Sequence, residues 1–564
     1  MRIMGSGRNW DTRVLVTLLT GTLLCGNAAA KNFYVAAAGT DNAAGSQAAP
    51  WASIARVNRA QLVPGDHVYF EAGATFSGTL TFGPHHAGTP QSPLVIGSYG
   101  SGRATIDAGN SSGIAITDAA GISIENLRLI GSGRRRNQGS GIRAVNDVHQ
   151  GPHLSFLRIN RVEVSGFGLA GIFVGGLATD GTQDGFDDVR IENSDAHDNV
   201  YYGVLVGGPW DDDHSATVTS GPQDSGPRPG YSNRNIYIGH TRVWNNLGDP
   251  DYHLNHSGNG ILVADTDGAM VEFSSAWENG KLDTKSEGGP AGIWAAGSNH
   301  VIIQSCESHH NHTGQSNADG DGFDLDGGVT NSILQYNYSH DNDGFGFLVY
   351  NYKGAPHVHG GNIVRFNISE NDGGRQMNGG SLAIFSDGDD VSDLEVYNNT
   401  IYSNKAAKNT TPLLIGNHVG KMNIRNNIFI ANGGVPVISQ GVPNSQAQLA
   451  GNAYWSIGAS LRIDWGGTTF TTLSSFRIAT GQEQQNGKAF GFEEPPQLSG
   501  MAQGITIGNP DKLSSLQEYR LLPSSQFLVG GAVLTGLNMG TRDFFGNPFR
   551  KGGPFPIGAD AGTR

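Results

Sequence analysis

Along most of the chain, short runs of β-branched and aromatic residues alternate with polar positions and close in a polar turn that ends in Asn. The pattern reads VRIENSDAHDN to Asn199, IYIGHTRVWNN to Asn246, MVEFSSAWEN to Asn279 and VIIQSCESHHN to Asn311. It continues with SILQYNYSHDN to Asn342, NIVRFNISEN to Asn371, LEVYNNTIYSN to Asn404 and MNIRNNIFIAN to Asn432, at successive intervals of 47, 33, 32, 31, 29, 33 and 28 residues. A period of this length suits a coil of three short strands. One such coil cannot bury its own apolar face, so the coils must stack. After most turns a Gly opens another alternating run: GVLVGG from Gly203, GILVAD from Gly260, GIWAAG from Gly292, GFDLDGG from Gly322 and GFGFLVY from Gly344. Alternation places Val204/Val206, Ile261/Val263, Ile293/Ala295, Phe323/Leu325 and Phe345/Phe347 inside, with their neighbours facing solvent.

Two further columns follow from the repeat. Five positions before the Asn stand Ser194, Thr241, Ser274, Cys306, Asn337, Asn399 and Asn427, small or amide side chains able to hydrogen-bond up the stack. Cys306 belongs to this column and is expected to be an inert buried thiol. Two positions before the Asn, His197, His309 and His340 share a column with Trp244 and Trp277. A stacked structural ladder is expected there, with His309 and His340 also available as metal or substrate ligands.

The ends differ from the repeats. Arg2, Arg8 and Arg13 precede an apolar run from Val14 to Leu24 and the small residues Ala28, Ala29 and Ala30, the layout of a secretory signal over residues 1–30. That run is too short for a membrane span, and none is expected later. Residues 31–110 read as an N-terminal cap and first coils, 111–449 as β-helix coils, and 450–564 as C-terminal coils with an extension packed on the helix. Within the last segment TTLSSFRIATG reads as a short helix behind a Thr/Ser cap.

Loss of the signal takes the formal net charge from −14 to −16, because Arg2, Arg8 and Arg13 leave with Asp11. So acidic a surface excludes nucleic acid as a partner. It admits an acidic polysaccharide only through a local basic patch or a bridging cation. With Cys25 in the signal, Cys306 has no disulfide partner, and the 84 glycines fit many tight turns. Oligomeric state is not legible.

The opening FYVAAAGTD…PWASIARVN…LVPGDHVYFEAGATFSGTL, the coil repeats and the closing DFFGNP…IGADAG resemble secreted right-handed parallel β-helix proteins of the pectate-lyase-like superfamily. The resemblance implies the fold. It leaves the reaction open, because that architecture carries lyases, hydrolases, epimerases and noncatalytic adhesins.

Loop lengths locate a site. From ladder Asn to strand Gly there are 4 residues at Asn199–Gly203, then 14 at Asn246–Gly260, 13 at Asn279–Gly292 and 11 at Asn311–Gly322, falling to 2 at Asn342–Gly344. Consecutive long loops line one wall of a cleft. Within it, SNADGDGFDLDGG turns Asp324 and Asp326 outward, their Cα atoms roughly 6.5–7 Å apart. Carboxylates so placed repel, and one gains proton affinity or a cation is recruited. A cation would also draw on Asp319 and Asp321.

Over about residues 300–350, QSCESHHN…NADGDGF…NSILQYNYSHDNDGFGF is similar to the calcium-holding segment of family-nine pectate lyases. The resemblance implies calcium, with Asp319 or Asp321 as first ligand and Asp343 in the second set. Gly346 stands where that family has another Asp, and the strand GGSLAIFSDG from Gly379 lacks the family's lysine base. The pectate mechanism therefore does not carry over whole. Lys353, His357 and Arg375 are the nearby candidates for a base and for binding a uronate carboxylate, with His359 beside them as a substrate ligand. Trp294, Tyr350 and Tyr352 are the candidate sugar platforms, with Trp210 a second in its own loop. Three readings stand: a cation-assisted lyase on a uronate-containing polysaccharide, a glycoside hydrolase using Asp324 and Asp326, and a noncatalytic glycan-binding solenoid.

Overall fold

The computed structural model describes residues 30–562 apart from 149, 178–183, 209–229, 254, 285–287, 316–317, 376–378, 405–409, 443–445, 502 and 549–551. The expected secretory signal, through residue 29, and Trp210 lie outside the described residues.

Each repeat supplies one strand to each of three sheets, in the order first, second, third. The coil around the acidic motif does so with Asn299–Gln304, Glu307–His309 and Asp321–Asp326. Among the described residues each of these three sheets has 14 strands, parallel except at the closing hairpin of the third, and Gln484–Gln485 pairs with Lys488–Ala489 in a small antiparallel ribbon. The chain is a right-handed parallel β-helix.

Single residues in the left-handed region turn the corners. Ser305, Tyr336 and Phe366 do so between the first and second sheets; His310, Asp341 and Asn371 do so after the second, with φ between 52° and 60°. For residues with a Cβ this conformation is costly. Side-chain ladders directly behind each corner offset the cost. Asn337, Asn367, Asn399, Asn427 and Asn452 hydrogen-bond in series at 2.9–3.1 Å. Asn199, Asn246, Asn279, Asn311 and Asn342 form the second ladder. It ends on Asp372, which accepts from Asn342 Nδ2 at 2.8 Å. Asn371, which the repeat pattern puts in that ladder, is instead the corner residue.

The interior columns follow the alternation as far as Phe323 and Leu325, which stack on Ile293 and Ala295. One coil on, the partners are Phe347 and Val349, not Phe345 and Phe347. That strand is Phe347–Asn351, with Gly346 before it in line with Gly322, and Phe345 belongs to the outer face. One apolar core runs from Val35 to Phe476. At its first coil the helix Ile54–Asn58, capped by Ser53, buries Ile54 and Val57. Toward the other end Leu473–Thr480 is helical as read, with Thr472 as N-cap and left-handed Gly481 at the C-cap.

Beyond Glu493 the chain folds back over the outer face of the second sheet. The backbone N–H groups of Ile507 and Gly508 donate to Glu307 at 2.6 and 2.7 Å, and that of Gly504 donates to Glu370 at 2.6 Å. Leu513, Leu516, Tyr519 and Phe527 bury against Tyr338, Ile368 and Tyr402. Each such side chain stabilises by roughly 2 kcal/mol. On the same face the expected aromatic column is continuous: His197–Trp244, Trp244–Trp277, Trp277–His309 and His309–His340 stack at 4.2, 4.9, 5.9 and 4.7 Å.

Cys306 is fully buried, and burial pushes its thiol up to about 12. It is expected to be unreactive toward Ellman's reagent in the native protein and to titrate only after unfolding. A fast native reaction would contradict this placement.

Candidate active site

The acidic motif lies on the outer face of the third sheet. There Phe173, Leu205, Leu262, Trp294, Asp324, Leu348, Ala383 and Leu414 stand in one register column. Between Phe173 and Leu414 Asp324 is the one carboxyl among apolar neighbours; the column runs on to Ser439 and Asp464 at one end and Arg143 at the other. Asp321 lies in the neighbouring column over Ala291, and Asp326 stands over Ala296 on the other side.

Local structure explains how these groups are held. Asp321 is fully buried, and its Oδ1 accepts the N–H of Phe345 at 2.5 Å. A Cβ at residue 344 would lie 2.2 Å from that same oxygen, so this close approach requires Gly344. Asp319 turns in the left-handed region and accepts the N–H of Gly289. Asp326, at the partly exposed edge, accepts the N–H of Gly327 at 2.6 Å.

Asp324 is 5% exposed, and its Oδ1 and the Oδ2 of Asp321 are buried without hydrogen-bond partners. Burial, then repulsion from Asp326, Asp321 and Asp319, raises the Asp324 carboxyl well above the usual carboxylate range. Burial and Asp319 raise Asp321 in the same way. Among the described residues no basic side chain offsets either shift. In a dry site such groups hold protons or share a cation.

Asp343 is differently engaged. Its Oδ2 meets His312 Nδ1 at 3.1 Å and Arg375 at 3.5 Å. His312 also reaches Glu278 at 3.0 Å, and the hydrogen bonds to Asp343 and Glu278 raise its imidazole above the ordinary value. Arg375 is otherwise largely exposed, at 57%.

No family model matches the sequence, and no curated protein matches it. Among solved structures, the chain is similar to the GH136 lacto-N-biosidase of Eubacterium ramulus, at 17% identity over 75% of this chain and 68% of that one, with a TM-score of 0.50. It is similar to pectate lyase Pel9A at 15% identity, covering 93% of this chain and 96% of that one, with a TM-score of 0.42. For the A-module of the Azotobacter vinelandii mannuronan C-5 epimerase AlgE6 the values are 12%, 77%, 92% and 0.43. The fold shared with the first of these is a parallel β-helix. At these identities the likeness bears on the fold alone, and the chemistry must be read from the side chains.

The expected platforms sit differently from one another. Trp294 faces outward, yet it is 3% exposed, with His256 edge-on at 4.9 Å, so it floors the site rather than opening to it. Tyr350 is partly exposed, donates to Asp387 at 2.9 Å and packs against Phe385 at 4.9 Å. The ring of Tyr352 lies over Gly327, whose absent side chain makes room for it. Lys353 is exposed on the turn that follows, and His357 packs on Tyr231 at 4.4 Å. His359 is buried, which pushes its imidazole down to about 3 and keeps it neutral in the interior. Phe385 and Asp387 escaped the sequence reading. The outward parity of SLAIFSD was their signal, since Phe385 is in register with Tyr350.

Proposed function

We propose that the protein is a secreted glycan-cleaving enzyme, a glycoside hydrolase in which Asp324 is the acid and Asp326 the base or nucleophile. The observation that carries this reading is the buried Asp324 carboxyl, set in an apolar column with one oxygen unpartnered and its proton affinity raised. Such a group holds its proton to higher pH than an ordinary carboxyl and can deliver it to a glycosidic oxygen. Asp326, at the exposed edge, has the position to activate water or to attack the anomeric carbon. Tyr350 and Phe385 offer an apolar wall beside it for the face of a sugar ring. Lys353 is exposed and His357 is packed on Tyr231, whereas Asp324 and Asp326 stand on the strand itself. Hydrolysis therefore comes first.

One observation favours a second reading. Asp319, Asp321, Asp324 and Asp326 offer only oxygen, with two of the oxygens orphaned, which is the donor chemistry a hard cation takes, although no three of these carboxylates converge within 4.8 Å as they stand. These residues would hold calcium, which when bound offsets the carboxylate charge of a uronate. Lys353 or His357 would then take the proton from the sugar, and Arg375, with Tyr352 and Asp343 nearby on the flanking turns, would meet the substrate's charge.

A panel of neutral and acidic polysaccharides decides, with reducing ends and ultraviolet absorbance followed together, with and without EDTA. Reducing ends without absorbance, insensitive to EDTA, are expected. An unsaturated product lost on chelation and restored by calcium would establish the lyase instead. Binding without any product, unchanged in Asp324→Asn, would leave only a glycan-binding solenoid.

A further inference from the structure

The outer face of the second sheet carries a cluster unconnected with the acidic strand. Glu307 and His309 are two apart on one strand and so share its outer face. His340 is in register with His309 on the next strand. The donor atoms of Glu307, His309 and His340 all lie within 4.8 Å of one another. We propose that these three side chains form a structural site for zinc, seated between the second sheet and the C-terminal extension.

Geometry points to a metal rather than to hydrogen bonding alone. His340 is fully buried, yet its Nε2 has no hydrogen-bond partner and stands 3.5 Å from Glu307 Oε1. That separation is long for a hydrogen bond. Two donors at zinc-ligand distances on a tetrahedral ion are about 3.4 Å apart. The opposite nitrogens are already committed in the manner of an outer shell. His340 Nδ1 meets Asp341 at 2.9 Å, and His309 Nδ1 meets His310 Nδ1 at 2.9 Å. Such partners fix the ring orientation and leave Nε2 as the free donor. The two imidazoles stack at 4.7 Å and 11°, so both rings must turn toward one another for their nitrogens to meet one ion.

The cluster is also placed to do something. Glu307 already accepts the N–H groups of Ile507 and Gly508, and each carboxylate oxygen keeps a second lone pair. A metal there ties the extension to the coil through Glu307. Two imidazoles with one carboxylate select a borderline ion such as zinc over calcium, whereas the acidic strand offers only oxygen.

The test uses the full chain, stripped with chelator and dialysed, then titrated with Co²⁺ and, separately, Zn²⁺ and Ca²⁺. Expected are visible d–d absorption of low-coordinate Co²⁺ saturating at about one equivalent, its displacement by Zn²⁺, and a melting temperature raised by about 4 °C with Zn²⁺. Calcium should do neither. His309→Gln and Glu307→Gln should lose the absorption, and Asp324→Asn should keep it. Should those variants fail to fold by circular dichroism, His310→Ala serves, with Co²⁺ affinity reduced about tenfold. Absence of both the absorption and the thermal shift in the wild-type chain overturns the site, leaving a protonated His340 between Glu307 and Asp341. An undiminished response in His309→Gln or in folded His310→Ala also overturns it, because the ion then sits elsewhere.

Discussion

Asp324→Asn is expected to reduce glycan cleavage by roughly 10²- to 10⁴-fold and, in the same protein, to raise the melting temperature. Both effects have one cause. Asp324 occupies an apolar column, with Oδ1 unpartnered and three other carboxylates repelling it. An amide keeps the shape and cannot ionise, so the folded chain no longer holds a proton that the unfolded chain releases, and the repulsion from the neighbouring carboxylates is gone. It also removes the proton that would be delivered. The sign of the pH effect follows. With the folded-state pKa raised, wild-type stability is greatest below the unfolded carboxyl value and falls as pH rises toward the folded one. The gap between Asp324→Asn and wild type should therefore widen from pH 4 to pH 8. Cleavage by the wild type should likewise decline on the alkaline side, where Asp324 loses its proton. Melting curves at the two pH values, with reducing-end assays alongside, check both halves. A variant that lost activity and stability together would mean that Asp324 is a structural group. One that kept its activity would move the chemistry off this strand.

What the sequence made legible is what repeats. Period, alternation and the ladder columns gave the coils, the stacked His and Trp residues and the outward turn of Asp324 and Asp326, because each coil restates the same physical requirement. Two register slips show the limit. Asn371 looks like a ladder residue and Gly344 like the glycine in line with Gly322, yet the structure puts Asp372 and Gly346 in those places, a shift of one and two residues. In both cases a local pattern fitted the repeat while a tertiary contact chose the neighbour. Asp372 accepts from Asn342, and Gly344 is needed against Asp321. Exposure was not legible either. Trp294 and His359 were read as substrate contacts from parity and loop position, but coverage by other segments buries them. Glu307 went unremarked because its role depends on residues 507 and 508, 200 positions away.

Asp372→Asn is expected to flatten the pH dependence of stability by roughly 4 kcal/mol at most, taking about 1.4 kcal/mol per unit of pKa shift. The Asn ladder ends on this side chain. Its Oδ1 accepts the N–H and Nδ2 of Asn342 at 3.1 and 2.8 Å, and Ser369 Oγ donates to Oδ2 at 2.6 Å. Even with those donors, burial raises the carboxyl from 3.8 to about 7. Between those values the folded chain holds a proton that the unfolded chain has released, so stability falls as pH climbs through that window and is level above it. Asparagine satisfies the same acceptor position and bears no charge. The variant should match wild type near pH 4 and be the more stable near pH 8, read from denaturant midpoints at each pH. The ladder also touches the chemistry, because Asp372 is among the charges that raise Asp321. Removing its charge should still leave the alkaline limb of cleavage, which Asp324 sets, in place. Parallel stability slopes in the two proteins would show that Asp372 is ionised throughout, and the ladder would then end in a solvated charge instead of a buried acid.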